Sequence, residues 1–241
     1  LAVYAAERTG NPHAFDHGTR DGHLLEQIIE KDLELRNRKV ELSEAFPAYK
    51  RQKSYLLAGL LIDDVSNYAL LSGVHAVKKD GVYHRGMEGF CAEQNMVQVP
   101  LAVLSEWERM ECDHNEIWIV ENPSIFARLC GEHPCMCMNG QPRLAGLLVL
   151  DLLAEAGTVI HYAGDLDPEG LLIAQKLSQY YKGVFYYWHM TEEDYHMCRS
   201  KEALSERRIG MLQKITDPRL LPVARAIAEY GMAGYQEKID Y

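Results

Sequence analysis

Two short acidic stretches hold the residue types best suited to chemistry. One is Glu121-Asn122-Pro123. The other is Gly164-Asp165-Leu166-Asp167-Pro168-Glu169-Gly170, whose first carboxylate follows Glu121 by 44 residues (165 − 121). Carboxylates brought together repel one another unless a cation lies between them. Hard oxygen donors suit Mg2+ or Mn2+, and Mg2+ commonly takes one or two protein carboxylates plus water and substrate phosphate. Such an ion can stabilise charge on a phosphate and lower the pKa of an attacking water. Glu121, Asp165 and Asp167 are therefore the candidate catalytic and metal-ligating residues, with Glu169 a fourth candidate ligand. Glu169 has a second reading, because an acid in a helix's first turn complements the dipole. The plain alternative for the other three is that each caps a helix.

The chain must bring these stretches to one place, and its pattern says how. Ile117-Trp118-Ile119-Val120 leads into Glu121, and Thr158-Val159-Ile160-His161-Tyr162-Ala163 leads into Gly164. Apolar runs of this length, rich in β-branched and aromatic residues, read as buried strands of a parallel sheet. A helix start follows each, with Pro123 and Pro168 in the first turn, where a missing N–H costs nothing. Open α/β sheets bind ligands outside the carboxyl ends of their strands, so both acidic stretches fall on the active edge. Pro134 to Met138 predicts a third strand ending at Asn139-Gly140, whose backbone could face a phosphate or simply make a tight turn. A long apolar helix to Ala156 follows, then a helix over Leu171–Tyr181 and a strand over Val184–Trp188. The tail from Glu202 predicts two or three short helices.

Before this unit the pattern is mostly helical. Helices are expected over Leu24–Arg38 and from Ser43 to Leu57, with a short one through Tyr68–Leu71. Val74 to His84 reads as a hairpin around Asp80-Gly81. Met96–Val99 reads as a strand and Leu101–Met110 as a helix. Helices followed by a hairpin are compatible with a winged helix, whose basic groups can contact a DNA backbone. His13 and Asp16, in the loop Asn11 to Asp16, are further site candidates; a loop-packing histidine and a helix cap are the plainer reading. The expected fold class is α/β: a Rossmann-like domain with a parallel sheet over 113–241, preceded by a helical, winged-helix-like region over 1–112.

Composition limits the partners. The chain has 241 residues and a net charge of −10, which argues against a broad basic nucleic-acid coat. An acidic site that reaches phosphate through metal ions remains compatible with a DNA enzyme. No 18-residue apolar stretch is present and no signal peptide is recognised, so a membrane partner is not expected. The six cysteines form no Cys-x-x-Cys pair, so buried thiols in a reducing, cytoplasmic setting are expected.

Strand-Glu followed by strand-Gly-Asp-x-Asp-Pro-x-Gly resembles a TOPRIM domain, most closely that of the topoisomerase VI A subunit. With Thr9-Gly10-Asn11-Pro12-His13-Ala14-Phe15-Asp16 and Asn139-Gly140-Gln141-Pro142, the set is similar to a bacterial family of TOPRIM-like nuclease subunits. These act with SMC-like ATPases in Wadjet-type anti-plasmid defence, and an amino-terminal region precedes the matching stretch in them. The resemblance covers nearly the whole chain, most specifically residues 117–188. It implies that Glu121 is a metal ligand or general acid/base, and that Asp165 and Asp167 hold the ion between flanking Gly164 and Gly170. It implies plasmid DNA as substrate, with SMC-like ATPase and accessory subunits as partners and a homodimer as an option. Topoisomerase VI relatives cut with a tyrosine. Tyr55 is the one candidate, but Arg51-Gln52-Lys53-Ser54-Tyr55-Leu56 does not reproduce their motif, so hydrolysis by metal-activated water is the expectation. Two other classes stay open: a non-catalytic TOPRIM-like scaffold binding DNA or partners, and a sugar-nucleotide transferase using Asp-x-Asp. The Pro-x-Gly continuation disfavours the transferase, and the intact acid trio disfavours the scaffold.

Overall fold

A computed structural model describes residues 1–40, 46–63 and 65–239, with the backbone alone at Pro47. The expected helix start at Ser43 lies outside the described residues. Helices α1 (Ala2–Thr9), α2 (Arg20–Leu35) and α3 (Pro47–Leu57) lead the chain. Then come β1 (Tyr68–Ser72), β2 (Val74–Lys78), α4 (Arg85–Ala92), β3 (Val97–Pro100), α5 (Leu101–Leu104) and β4 (Trp107–Cys112). The central run is β5 (Glu116–Val120), α6 (Pro123–Leu129), β6 (Cys135–Cys137), α7 (Leu144–Glu155), β7 (Val159–Ala163), α8 (Pro168–Tyr180) and β8 (Phe185–Tyr187). The tail adds α9 (Glu192–Cys198), β9 (Arg199–Ala203), α10 (Glu206–Met211), α11 (Leu221–Tyr230) and β10 (Met232–Gly234).

The fold is mixed α/β and Rossmann-like, as the strand–helix alternation predicts. Six strands form one sheet in the order β3-β1-β6-β5-β7-β8. Strands β6, β5, β7 and β8 run parallel, and β1 runs against both β6 and β3. Side chains alternate between the two faces with period two. Ile117, Ile119, Ile160 and Tyr162 point to the main core under α7 and α8, while Val120, Cys135, Cys137 and Ala163 meet α6 on the other face. Helix α7 is apolar nearly all round and is buried accordingly. The alternation expected of Cys135 and Cys137 is present. On the α6 face Trp118 stacks between His133 and His161, with ring centroids 4.3 and 4.8 Å away.

Three local expectations change. Tyr68–Leu71 is strand β1 rather than a helix, because Ala69 and Leu71 are buried between β3 and β6. The helix expected over Leu101–Met110 stops at Leu104. Trp107–Cys112 instead pairs antiparallel with β2, sinking Trp107 and Met110 and leaving Glu108 outside. The Asp80-Gly81 turn forms, but Tyr83 returns only as a single bridge to Val77, so the partner of β2 is β4. Sheet pairing outweighs weak local helix propensity in the first two cases.

The main core crosses residue 113. Strands β1 and β3 lie in the same sheet as β5, and β4 packs on α7. Helices α2 and α3 keep a small core of Ile29, Leu33, Val40 and Tyr55. Tyr55 is buried there at 1 % exposure. No described helix is long and apolar enough to cross a membrane.

Candidate functional site

Glu121 directly follows β5, and Asp165 lies one glycine beyond β7. Val120 and Ala163 are register partners, and the Glu121 amide donates to the Ala163 carbonyl at 3.1 Å. The two acidic stretches therefore leave the sheet side by side at its carboxyl edge. Asn139 and Gly140 leave β6 at the same edge, both with positive φ (52° and 85°).

The turn after β7 needs its glycines for space rather than for handedness. A Cβ at Gly164 would lie 3.1 Å from both Glu121 Oε2 and the Tyr162 hydroxyl. A Cβ at Gly170 would sit 2.2 Å from the Asp165 carbonyl oxygen, inside any tolerable contact. Neither glycine has positive φ; Gly164 makes room for two side chains and Gly170 for a close backbone approach. The carboxy-terminal segment pins this loop from outside. Leu166 and Gly234 exchange backbone hydrogen bonds of 2.9 Å in each direction, and the Gln236 amide donates to Asp165 Oδ1 at 3.0 Å.

The acids separate into different roles. Asp167 does cap α8, accepting from the Gly170 amide at 2.7 Å through Oδ1. Glu121 caps nothing; Asn122 caps α6 instead, through its Oδ1 and the Ser124 amide at 2.8 Å. Glu121 Oε2 is buried with no hydrogen-bond partner, and so is the Tyr162 hydroxyl. Glu169 is clamped by Arg208, whose Nε lies 3.0 and 2.9 Å from its two oxygens. Arg208 Nη2 also reaches Glu169 Oε2 and Asp167 Oδ2, each at 2.6 Å. His13 and Asp16 pair with each other at 2.9 Å in their exposed loop, and Thr19 rather than Asp16 caps α2.

Electrostatics follow from that arrangement. Burial, then the charges of Asp165 and Asp167, push the Glu121 carboxyl up to about 7. Burial also raises Asp165, with Asp167 and Glu237 adding to it against the Gln236 amide. Asp167 is raised by burial despite its Gly170 amide and Arg208 partners. Tyr162 is raised far above its ordinary value by burial and by facing Glu121 and Asp165. A cluster of carboxylates that resist ionisation, with one buried oxygen unpartnered, is the donor chemistry of a hard divalent cation. Among the described residues no three His, Cys, Asp or Glu side chains are yet drawn together tightly enough to hold an ion. Arg208 instead takes Asp167 and Glu169.

Four participants were not singled out from the sequence: Tyr162, Arg208, Gln236 and Glu237. Glu237 accepts from Asn122 Nδ2 at 2.6 Å, which brings a further acid beside the motif. Only the two-residue periodicity of β7, which places Tyr162 on the same face as Ile160, hinted at any of them.

Residues 97–240, more than half of the chain, match the family model described as "Protein of unknown function C-terminus (DUF2399)". Residues 1–76 match the one described as "Protein of unknown function N-terminus (DUF3323)". No curated protein matches the chain. The acidic edge, the loop after β7 and the segment that pins it all fall within the first of these matches, and the chain belongs to the DUF2399 family.

Proposed function

We propose that this chain is the cutting subunit of a DNA-cleaving assembly, hydrolysing a phosphodiester with water under divalent-metal control. The observation that carries this reading is Glu121 Oε2, buried and unpartnered at the carboxyl end of a central strand beside two further carboxylates. Glu121, Asp165 and Asp167 would hold Mg2+ or Mn2+, with Glu169 available once Arg208 releases it. The ion would supply charge stabilisation at the scissile phosphate and acidify a bound water. The chain's own residues do the rest. Gln236 orients Asp165 through its backbone amide, and the Gly170 amide orients Asp167. Where Glu121 serves as general acid/base rather than as a ligand, its carboxyl, raised to about 7 in the metal-free site, can take up or release a proton.

The resemblance of the acidic motifs to TOPRIM nuclease subunits supports placing the chain in a cytoplasmic, SMC-like, Wadjet-type anti-plasmid complex. Plasmid DNA is then the substrate, and a subunit of net charge −10 relies on its ATPase and accessory partners to present that DNA. One observation favours the scaffold reading: Arg208 already neutralises two of the four acids. Supercoiled plasmid incubated with Mn2+, the SMC-like partners and either wild type, Glu121→Gln or Asp165→Asn separates the two. Nicking or linearisation by wild type alone supports hydrolysis at this site. Cleavage surviving in both variants, or no cleavage by wild type with its partners present, overturns it.

A further inference from the structure

We propose that Arg208 is the resident counter-ion of the acidic site, held until a divalent cation displaces it and then free to pair with a DNA phosphate. The proposal rests on the metal-dependent reading above and assigns a residue to its control. The guanidinium spans Asp167 Oδ2 and Glu169 Oε2, each 2.6 Å from Nη2, and its Nε adds two contacts to Glu169. Arginine's planar fork fits carboxylate and phosphate alike, so the same side chain can serve both in turn.

The bridge is one-sided. Among the described residues Arg208 bonds only the outer acids, while the inner acids Glu121 and Asp165 have no cation. Tyr162 is an independent sign that the inner space takes a ligand: its hydroxyl is buried and lacks a partner, and it flanks Gly164 together with Glu121 Oε2, each 3.1 Å from where a Cβ of that glycine would lie. An ion held by the inner acids and Asp167 would compete with the guanidinium for the Asp167 carboxylate, since two cations drawn to one carboxylate repel each other. Moving Arg208 breaks its carboxylate contacts but removes no fully buried residue of its own helix from the core. Its helix, α10, is six residues long, has no fully buried residue and is entered through the Ser205 cap. A freed Arg208 remains at the rim of the site, next to exposed Arg207.

The test measures Mn2+ binding to the full chain by electron paramagnetic resonance of free Mn2+. Wild type is compared with Arg208→Gln, Arg208→Lys and, as a control for net charge, Arg207→Gln. Arg208→Gln is expected to bind Mn2+ about tenfold more tightly, as loss of a competing charge-assisted pair requires. Arg208→Lys should fall between it and wild type, since an ammonium cannot span both acids, and Arg207→Gln should match wild type. With Ca2+ and a short DNA duplex, Arg208→Gln should lose about one unit of salt slope in DNA binding. A purely structural arginine would lower the melting temperature and move neither readout. If wild type binds Mn2+ and Arg208→Gln binds no tighter, the counter-ion role is overturned while the metal site stands. If no variant binds Mn2+, both fall. Should Arg208→Gln fail to fold, Arg208→Lys decides: partial tightening supports the proposal, and unchanged affinity overturns it.

Discussion

Asp151 and Glu121 are both carboxylates set among tyrosines, and the chain treats them in opposite ways. Asp151, on α7, accepts from the Tyr49 hydroxyl at 2.5 Å and from Lys53 through Oδ2, and from the Tyr180 hydroxyl at 2.6 Å through Oδ1. Those partners come from α3 and α8, so the acid ties the amino-terminal helices to the sheet's helical layer. Lys53 also lies over the Tyr49 ring, 5.1 Å from its centroid. Glu121 Oε2 and the hydroxyl of another tyrosine, Tyr162, both border Gly164, yet neither has a partner. A satisfied polar network rigidifies a fold, whereas an unsatisfied buried one costs stability and calls for a ligand. The first acid holds the fold together, and under the function proposed above the second is the one kept for a cation.

The largest effect should come from removing charge at the unsatisfied acid site. Asp165→Asn, which keeps shape and the Gln236 contact, is expected to cut metal-dependent plasmid cleavage by at least about a hundredfold, given the several kcal/mol a Lewis-acid ion contributes. Its melting temperature without metal should hold or rise, because a buried acid is neutralised. A cleavage rate within a few fold of wild type would show that the cluster is not the reacting centre.

The next effect is a pH dependence. Folding raises Glu121 from the usual 4.5 to about 7. Its contribution to stability is therefore complete below about 4.5 and is lost as pH rises through 7, up to about 3 kcal/mol. Metal-free wild type should melt lower at pH 8 than at pH 5 by more than Glu121→Gln does, and Mn2+ should shrink that difference. Parallel pH profiles for the two proteins would mean that burial and its acidic neighbours do not raise Glu121 as described.

Asp151 should give the mirror image. Asp151→Ala leaves Tyr49 and Tyr180 without an acceptor and Lys53 without its acid, at a cost of about 1–3 kcal/mol. Denaturant melts should register that loss, while Mn2+ affinity stays at the wild-type value. Loss of Mn2+ binding in this variant would collapse the distinction between the two acids.

How far each region could be foreseen follows the range of its contacts. The strand–turn–helix units around Glu121 and Asp165 were legible because their signals are local: β-branched runs, proline at the first helical position, and Asp167 where a cap belongs; the cap of α6 is Asn122 rather than Glu121. Strands β1 and β4 were hidden, because Tyr68–Leu71 and Trp107–Met110 become strands only once β6, β3 and β2 lie alongside. The completed site was hidden for the same reason. Arg208 reaches Asp167 across 41 residues and Gln236 reaches Asp165 across 71. The Asp151 node, with Lys53 reaching across 98 residues, carried no sequence signal at all.

Tyr55 supplies the smallest and most selective test. Its hydroxyl, like Glu121 Oε2, is buried without a partner, but it lies in the small core of α2 and α3 among Ile29, Leu33 and Val40. Burial raises its pKa, the wrong direction for a nucleophile. Tyr55→Phe removes a desolvated hydroxyl and keeps the ring, so stability should hold or rise by up to about 1 kcal/mol. Plasmid cleavage should be unchanged within error, as attack by water demands. A Tyr55→Phe protein that folds normally yet no longer cuts would make this orphan oxygen the reacting one, and transesterification would replace hydrolysis.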